Sequence, residues 1–189
     1  TAIDLVASLG EEPIAFDDPY LEQAIRDAIN KHNGDIYASD LVGLTELDAD
    51  SRGIASLNGL ENCTDLIELY LAHNRISALS PLSSLARLEV AGLMYNEIED
   101  IAALSPLTNL TEIDLLHNEI ADINALSGLD ALAAIDLSYN HIDDLAPLSG
   151  LSNLVEVSLA YNEIDDVSPL EDLDNVAILE LAGNEITDI

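Results

Sequence analysis

The chain has very little positive charge. Its 189 residues include 37 aspartates and glutamates but only 5 lysines and arginines, which gives a formal net charge of −32 at pH 7. Such a surface repels the phosphates of nucleic acids and anionic lipids, so neither is an expected partner. No apolar run reaches the roughly 18 residues that a membrane-spanning helix needs, so insertion into a membrane is not expected either.

The chain also has a single cysteine, Cys63, which excludes an internal disulfide framework. Apolar residues, in contrast, make up 49% of the chain. A sequence with that apolar content can bury a core, so an intrinsically disordered chain is excluded. What the protein does therefore depends on how its apolar residues are arranged.

The apolar residues recur with a period of 22 residues around an asparagine, as in "LTEIDLLHNEIADI" (110–123) and "LAAIDLSYNHIDDL" (132–145). Six full units run from Leu44 to Asn175, and a seventh runs from Val176 to Ile189. Three of the recurring positions hold Asn74, Asn96, Asn118, Asn140, Asn162 and Asn184; Ile54, Ile76, Ile98, Ile120, Ile142, Ile164 and Ile186; and Leu60, Leu82, Leu104, Leu126, Leu148 and Leu170. The pattern resembles the leucine-rich repeat. Because the seventh unit is incomplete, we expect the chain to be part of a longer protein.

Each unit predicts a strand, a turn and a return leg. In "EIDLL", Ile113 and Leu115 alternate with outward-facing Glu112, Asp114 and Leu116. The asparagine turns the chain, and the return leg is apolar at every third residue, the period of a 3₁₀ helix. One unit cannot bury its apolar side alone, so the units must stack. The predicted fold is an α/β solenoid, a right-handed leucine-rich-repeat horseshoe with a parallel concave sheet and a 3₁₀ or irregular convex side.

A helical cap precedes the repeats, at residues 13–43. In "DDPYLEQAIRDAINKHNG" we expect one helix, with Asp18 as N-cap, Pro19 at the first helical position and Gly34 past the end. Its apolar stripe covers the open end of the first repeat. "SDLVGL" (39–44) predicts a second, short helix. The predicted domains are a flexible tail over 1–12, the cap over 13–43 and the repeats over 44–189.

The cap and the first repeat resemble those of bacterial internalin-like leucine-rich-repeat proteins. The resemblance is carried by "FDDPYLEQAIRDAI", by "ASDLVGLTELDADSRGIASLNGLE" and by later segments such as "NEIDDVSPL". It implies a secreted or surface-attached, non-catalytic module that binds a protein or peptide through its concave sheet. Intracellular relatives with the same period leave open a cytoplasmic scaffold or an enzyme-regulating subunit.

Catalytic and metal chemistry find little support in the sequence. The cluster "NHIDDL" (140–145) contains metal-ligand residue types, but Asn140, Ile142 and Asp144 each belong to a repeating column. Cys63 shares a core column with leucines, which predicts a buried thiol and not a nucleophile. His73 and His117 lie two strands apart, about 10 Å, which is too far to ligate one zinc ion together. We therefore expect no enzyme, no cofactor and no dedicated transition-metal site.

The concave face carries the candidate binding residues, because the strand period places them there. A stripe of tyrosines beside carboxylates suits a partner with lysine or arginine side chains. The alternative is that the histidines and tyrosines only shield the turn. The candidate ligand-binding residues are Glu68, Tyr70, His73, Tyr95, Glu112, Asp114, His117, Asp136, Tyr139, Glu156 and Tyr161. We expect this chain itself to be a monomer.

The high acidity has two explanations. Carboxylates in one column of adjacent strands lie about 5 Å apart and repel one another, which concentrated salt screens. Such a composition resembles that of halophilic proteins. Alternatively, calcium bridges pairs such as Asp143–Asp144 and Asp165–Asp166 in a structural surface module. Melting curves in NaCl and in millimolar calcium distinguish the two explanations.

Overall fold

The fold is built on seven short parallel strands that follow one another in sequence order in a single sheet. It is seen in a computed structural model that describes residues 10–187. Each strand pairs with the next in a register of 22 residues, as predicted for stacked repeats. The strands are β1 (Glu46–Asp48), β2 (Glu68–Tyr70), β3 (Val90–Gly92), β4 (Glu112–Asp114), β5 (Ala134–Asp136), β6 (Glu156–Ser158) and β7 (Ile178–Glu180).

The return legs contain short 3₁₀ helices, which confirms the period-three prediction. They are Leu60–Asn62, Ser80–Ser84, Ala102–Leu104, Asn124–Leu126, Ala146–Leu148 and Ser168–Leu170. In four units an aspartate side chain accepts a hydrogen bond at 2.8 Å from the backbone N–H two residues on, where the 3₁₀ helix begins; these are Asp100, Asp122, Asp144 and Asp166. This is the Asx turn expected at that column. The chain is therefore the predicted leucine-rich-repeat solenoid.

The core is a continuous column of aliphatic side chains inside the stacked units. The isoleucine column from Ile54 to Ile164 and the leucine column from Leu60 to Leu148 are fully buried. In the last units the burial decreases: Leu170 and Ile186 are only partly buried, and Leu179 in β7 is 44% exposed. Each unit thus depends on its neighbours for burial, as expected for a repeat protein.

The repeating asparagines form a ladder of hydrogen bonds between units. The Nδ2 of Asn118 donates to the carbonyl oxygens of Leu93 and Leu115, and its Oδ1 accepts from the N–H of Ile98. The other ladder asparagines repeat this arrangement with their own neighbours. Each amide therefore satisfies buried backbone groups of its own unit and of the preceding one.

The N-terminal cap is joined to the first repeat through Asp18. Helix α1 (Pro19–Ala28) begins at Asp18, whose Oδ1 accepts from the N–H groups of Tyr20 and Leu21. Its Oδ2 accepts from the N–H groups of Ala55 and Ser56 in the first repeat. Burial opposes ionisation of Asp18, but these four donors hold the pKa of its carboxyl below the usual range. The Asp18 side chain thus caps helix α1 and also joins the cap to the first repeat.

Two predicted boundaries in the cap were wrong. Helix α1 ends at Ala28 and not near Gly34, because Asn30 adopts a left-handed conformation (φ 54°) and the N–H of Lys31 closes the end by bonding to the carbonyl of Arg26. The segment 39–44 forms no separate helix beyond the 3₁₀ turn at Ala38–Asp40.

The tail predicted over residues 1–12 lies mostly outside the described residues. Of its described part, Glu11 accepts a hydrogen bond at 2.9 Å from the hydroxyl of Ser39.

Candidate binding face of the sheet

The outward side chains of the strands form an acidic stripe. If the residue that starts each unit (Leu44, Leu66 and so on) is position 1, the stripe consists of positions 3 and 5. It contains Glu46, Asp48, Glu68, Glu112, Asp114, Asp136, Glu156 and Glu180. None of the outward positions 3, 5, 7 and 8 of the described units holds a lysine or arginine. The stripe therefore has no cation of its own.

The carboxylates are closest together at the centre of the sheet. Asp114 and Asp136 are register partners on β4 and β5, and Glu112 and Glu156 flank Ala134 on the neighbouring strands. All four line a depression of about 190 Å³. Burial raises the pKa of the Asp114 carboxyl, and the charges of Asp136 and Glu112 raise it further. Ionisation of Asp114 is therefore less favourable than that of an exposed carboxyl, although the hydrogen bond from the Leu116 N–H partly offsets this effect.

Asp114 and Asp136 also have a structural role that sequence reasoning missed. The Oδ1 of Asp114 accepts from the N–H of Leu116 at 2.9 Å, and the Oδ1 of Asp136 accepts from the N–H of Ser138 at 2.8 Å. These are Asx turns at the ends of β4 and β5. The sequence signal for such a turn is an aspartate at the last residue of the strand, whose side chain can accept from the N–H two residues on. Only Oδ2 of each remains without a hydrogen bond to a described residue.

At the N-terminal side of the stripe, two predicted binding residues bind each other. The Tyr70 hydroxyl donates to Oε2 of Glu68 at 2.8 Å, and this hydrogen bond to a carboxylate raises the pKa of Tyr70 to about 12. A partner that uses either group must replace this bond. Glu68 and Tyr70 thus stand apart from the central carboxylates.

The five rings at position 8 stack on one another in an aromatic ribbon (His73, Tyr95, His117, Tyr139 and Tyr161). Neighbouring ring centroids are 4.5, 4.8, 6.0 and 4.3 Å apart along the series, with interplanar angles of 11°, 28°, 13° and 19°. The ribbon brings the predicted histidines and tyrosines together in one continuous surface along the edge of the sheet.

The ribbon follows from the backbone at position 8. All five ring residues have φ between 54° and 57°, the left-handed region that non-glycine residues rarely adopt. Each donates its backbone N–H to a carbonyl of the next unit, as His117 does to Ser138 at 2.9 Å. This conformation directs every ring the same way, and the spacing of the units brings the rings into contact.

The stacking changes what the ribbon can bind. The faces of Tyr95, His117 and Tyr139 are covered by neighbouring rings, so these residues present their edges and polar atoms to a partner. The last ring, Tyr161, lies over Gly183, where an added Cβ would come within 2.6 Å of the ring. The faces of these four rings are therefore covered and do not offer an open cation–π site.

Between the acidic stripe and the ribbon runs an apolar stripe at position 7. Met94 and Leu116 are half-buried there, and Ala72 and Ala160 are small and buried. The two polar members of this stripe are Ser138 at the centre of the sheet and Asp50 in the first unit. The face thus consists of three parallel stripes of different chemistry.

The residues that suggested metal or nucleophilic chemistry are structural. In "NHIDDL", Asn140 belongs to the ladder, Ile142 is buried, Asp144 makes an Asx turn, and His141 Nδ1 lies 3.1 Å from Oε1 of Glu163. Across residues 10–187, no three His, Cys, Asp or Glu side chains are arranged to hold a metal ion. Cys63 is fully buried, and burial raises the pKa of its thiol to about 12, so a reactive thiolate is disfavoured.

No helix within the described part of the chain is both long and apolar enough to cross a membrane.

Comparison with known proteins places the fold in a family. Residues 86–142 match the family described as leucine rich repeat, and residues 130–172 match the one described as leucine rich repeats in two copies. A search of curated proteins finds no match.

Solved structures give broader matches. Internalin C2 of Listeria monocytogenes is 32% identical, with a TM-score of 0.90 over 95% of this chain and 81% of that chain. The internalin inlF of the same species is 31% identical, with a TM-score of 0.79 over 95% of this chain and 61% of that chain. A leucine-rich-repeat protein of Leptospira interrogans is 27% identical, with a TM-score of 0.65 over 68% of this chain and 34% of that chain.

The fold of these neighbours is a non-enzymatic scaffold for protein interaction, which agrees with the absence of a catalytic arrangement in the sequence. Identity of 32% across 81% of an internalin, on the same repeat fold, shows that the chain belongs to the internalin-like family of leucine-rich-repeat proteins.

Proposed function

We propose that the chain binds a basic protein or peptide on the outward face of its sheet. The observation that carries this proposal is the acidic stripe, in which eight carboxylates face outward without a lysine or arginine at any outward strand position of the described units. The family is a protein-interaction scaffold in general, and the charge of the face supports a partner that supplies cations.

Like-charge repulsion on the face favours such a partner. Two carboxylates about 5 Å apart repel each other by roughly 0.8 kcal/mol at the dielectric constant of water. Burial strengthens this effect for Asp114, whose raised pKa reports an unfavourable charge. An ammonium or guanidinium group placed over Asp114 and Asp136 would relieve that cost, which makes binding favourable there.

The distribution of charge along the chain also draws the partner toward the later strands. Every lysine and arginine lies between Arg26 and Arg87, while residues 88–189 contain 22 aspartates and glutamates. Four of the five cations are already paired with carboxylates: Arg26, Lys31, Arg52 and Arg87. The resulting field steers a basic partner toward β4 to β6.

Neutralising the face tests the proposal. In the face variant, Glu112→Gln, Asp136→Asn and Glu156→Gln remove three charges, while the amide oxygen introduced at position 136 still accepts the hydrogen bond of the Asx turn. We expect its affinity for a lysine-rich peptide to fall about tenfold or more, because each exposed or partly exposed charge pair contributes up to about 1 kcal/mol. Isothermal titration calorimetry at low salt measures it.

The matched control removes the same charge elsewhere. Glu99→Gln, Asp130→Asn and Glu171→Gln change exposed side chains that lie off the sheet face. This outer variant should lose no more than about twofold in affinity through weaker long-range attraction. Equal losses in the two variants would show that the peptide is attracted by net charge alone and has no site on the face.

We further infer that the protein acts outside the cell, as a secreted or surface-attached molecule. Membership of the internalin-like family supports this location. Fractionation of the source cells tests it, since a purely cytosolic protein would favour the intracellular scaffold or enzyme-regulating alternative.

A further inference from the structure

We propose that the segment held on the face is an α-helix with a basic stripe beside an apolar stripe, lying across the strands along the solenoid. This inference rests on the proposed function and specifies the conformation and pattern of the partner. It is carried by the three parallel stripes of the face and by the spacing of the central carboxylates.

All three stripes of the face run in the same direction. The 22-residue register places the same position of every unit in line, so the acidic stripe, the apolar stripe and the aromatic ribbon all run across the strands. A partner that contacts all three stripes must have its own side chains of each type arranged in lines along its axis. An amphipathic helix does so, since its side chains at i, i+3, i+4 and i+7 form continuous stripes.

The spacing of the central carboxylates also fits a helix. Asp114 and Asp136 at position 5 lie on neighbouring strands, about 4.8 Å apart, and Glu112 and Glu156 at position 3 lie two strands apart, about 9.6 Å. Helix residues at i, i+4 and i+7 advance about 5.3 Å per step, close to one strand spacing. Same-side residues of an extended peptide are about 6.8 Å apart, and those of a polyproline helix about 9.3 Å apart. The extended peptide matches neither distance, and the polyproline helix matches only the longer one, whereas helix residues i, i+4 and i+7 match both.

An apolar stripe lies beside the carboxylates. Met94 and Leu116 are half-buried, so they offer apolar area that a helix could cover. The edges of Tyr95 and His117 rise next to them in the ribbon. A helix whose apolar stripe lies roughly 100° from its basic stripe would contact both lines at once.

Three lysine peptides of about 15 residues test this inference. The striped peptide has lysines at i, i+4, i+7 and i+11, leucines one position after each, and a covalent staple that keeps it helical. The permuted peptide has the same composition and staple, with lysines all round the helix. The third is a polyproline peptide with lysine at every third position. Fluorescence anisotropy with the whole chain gives the three dissociation constants.

We expect the striped peptide to bind about tenfold more tightly than either of the others, and this advantage should disappear in the face variant. Equal binding of the striped and permuted peptides, or tighter binding of the polyproline peptide, overturns the helix. If the helix is overturned but the peptides still lose affinity in the face variant and not in the outer variant, the acidic binding site is supported and only the helical conformation of its partner is refuted. If no peptide distinguishes the face variant from the outer variant, the proposed function itself fails.

Discussion

Replacing Asn118 with alanine is expected to destabilise the fold by about 3–5 kcal/mol. The asparagine is 6% exposed, and its amide satisfies the carbonyls of Leu93 and Leu115 and the N–H of Ile98. Alanine removes these three buried hydrogen bonds and leaves the N–H of Ile98 without a partner, at a cost of about 1–3 kcal/mol. The carbonyls of Leu93 and Leu115 keep the amides of Asn96 and Asn140, so each of these two losses costs about 0.5–1.5 kcal/mol. Urea unfolding followed by circular dichroism measures the loss.

Asn109 provides the matched control, because Asn109→Ala removes the same side chain from an exposed position. Its amide makes one hydrogen bond, to the carbonyl of Ala86. This substitution should cost less than about 1 kcal/mol. If Asn118→Ala costs no more than Asn109→Ala, the asparagine ladder does not hold the units together.

Replacing Asp18 with alanine is expected to cost about 2–4 kcal/mol and to release the cap from the first repeat. The substitution removes a helix N-cap, worth about 0.5–2 kcal/mol, and leaves the N–H groups of Ala55 and Ser56 without their acceptor. Thermal unfolding of the variant against wild type measures the effect. Asp35→Ala, at an exposed position of the cap whose side chain has no hydrogen bond to a described residue, is the control and should be nearly neutral.

The cost of Asp18→Ala depends on pH in a defined direction. The pKa of Asp18 in the folded protein lies below its ordinary value, so the ionised form stabilises the fold. This contribution is complete above the unfolded pKa of about 3.9 and is lost as the pH falls through the folded value. The difference in melting temperature between wild type and Asp18→Ala should therefore be largest near neutral pH and shrink in acid. A difference that grows in acid would contradict the assignment.

The sequence predicts the solenoid well because stacked units of 22 residues can pair their strands in only one register. A period of 22 residues means that Ile120 must lie inside if Ile98 and Ile142 do, and all three are fully buried. Where the backbone conformation of one residue determines the end of an element, the sequence predicts that end less accurately. Gly34 was the expected helix end, but Asn30 can also adopt the left-handed conformation and ends helix α1 first.

The candidate face was predictable in composition but not in geometry. Strand alternation places Glu112 and Asp136 outward, and the register brings them to neighbouring strands. The stacking of His117 between Tyr95 and Tyr139 depends on left-handed backbone at three residues that are not glycine, for which the sequence carries no clear signal. The role of these residues in binding, and the effect of salt or calcium on the fold, stay predictions.

The partner is expected to lie on the outward face of β4 to β6. An NMR titration of the whole chain with the striped lysine peptide tests this location directly, through the backbone amide shifts. We predict that the largest shifts fall within Glu112–Asp114, Ala134–Asp136 and Glu156–Ser158 and in the neighbouring ribbon residues. If the largest shifts instead fall beside the 3₁₀ helices, at Asp100, Asp122, Asp144 and Asp166, the peptide does not bind on the outward face of the sheet.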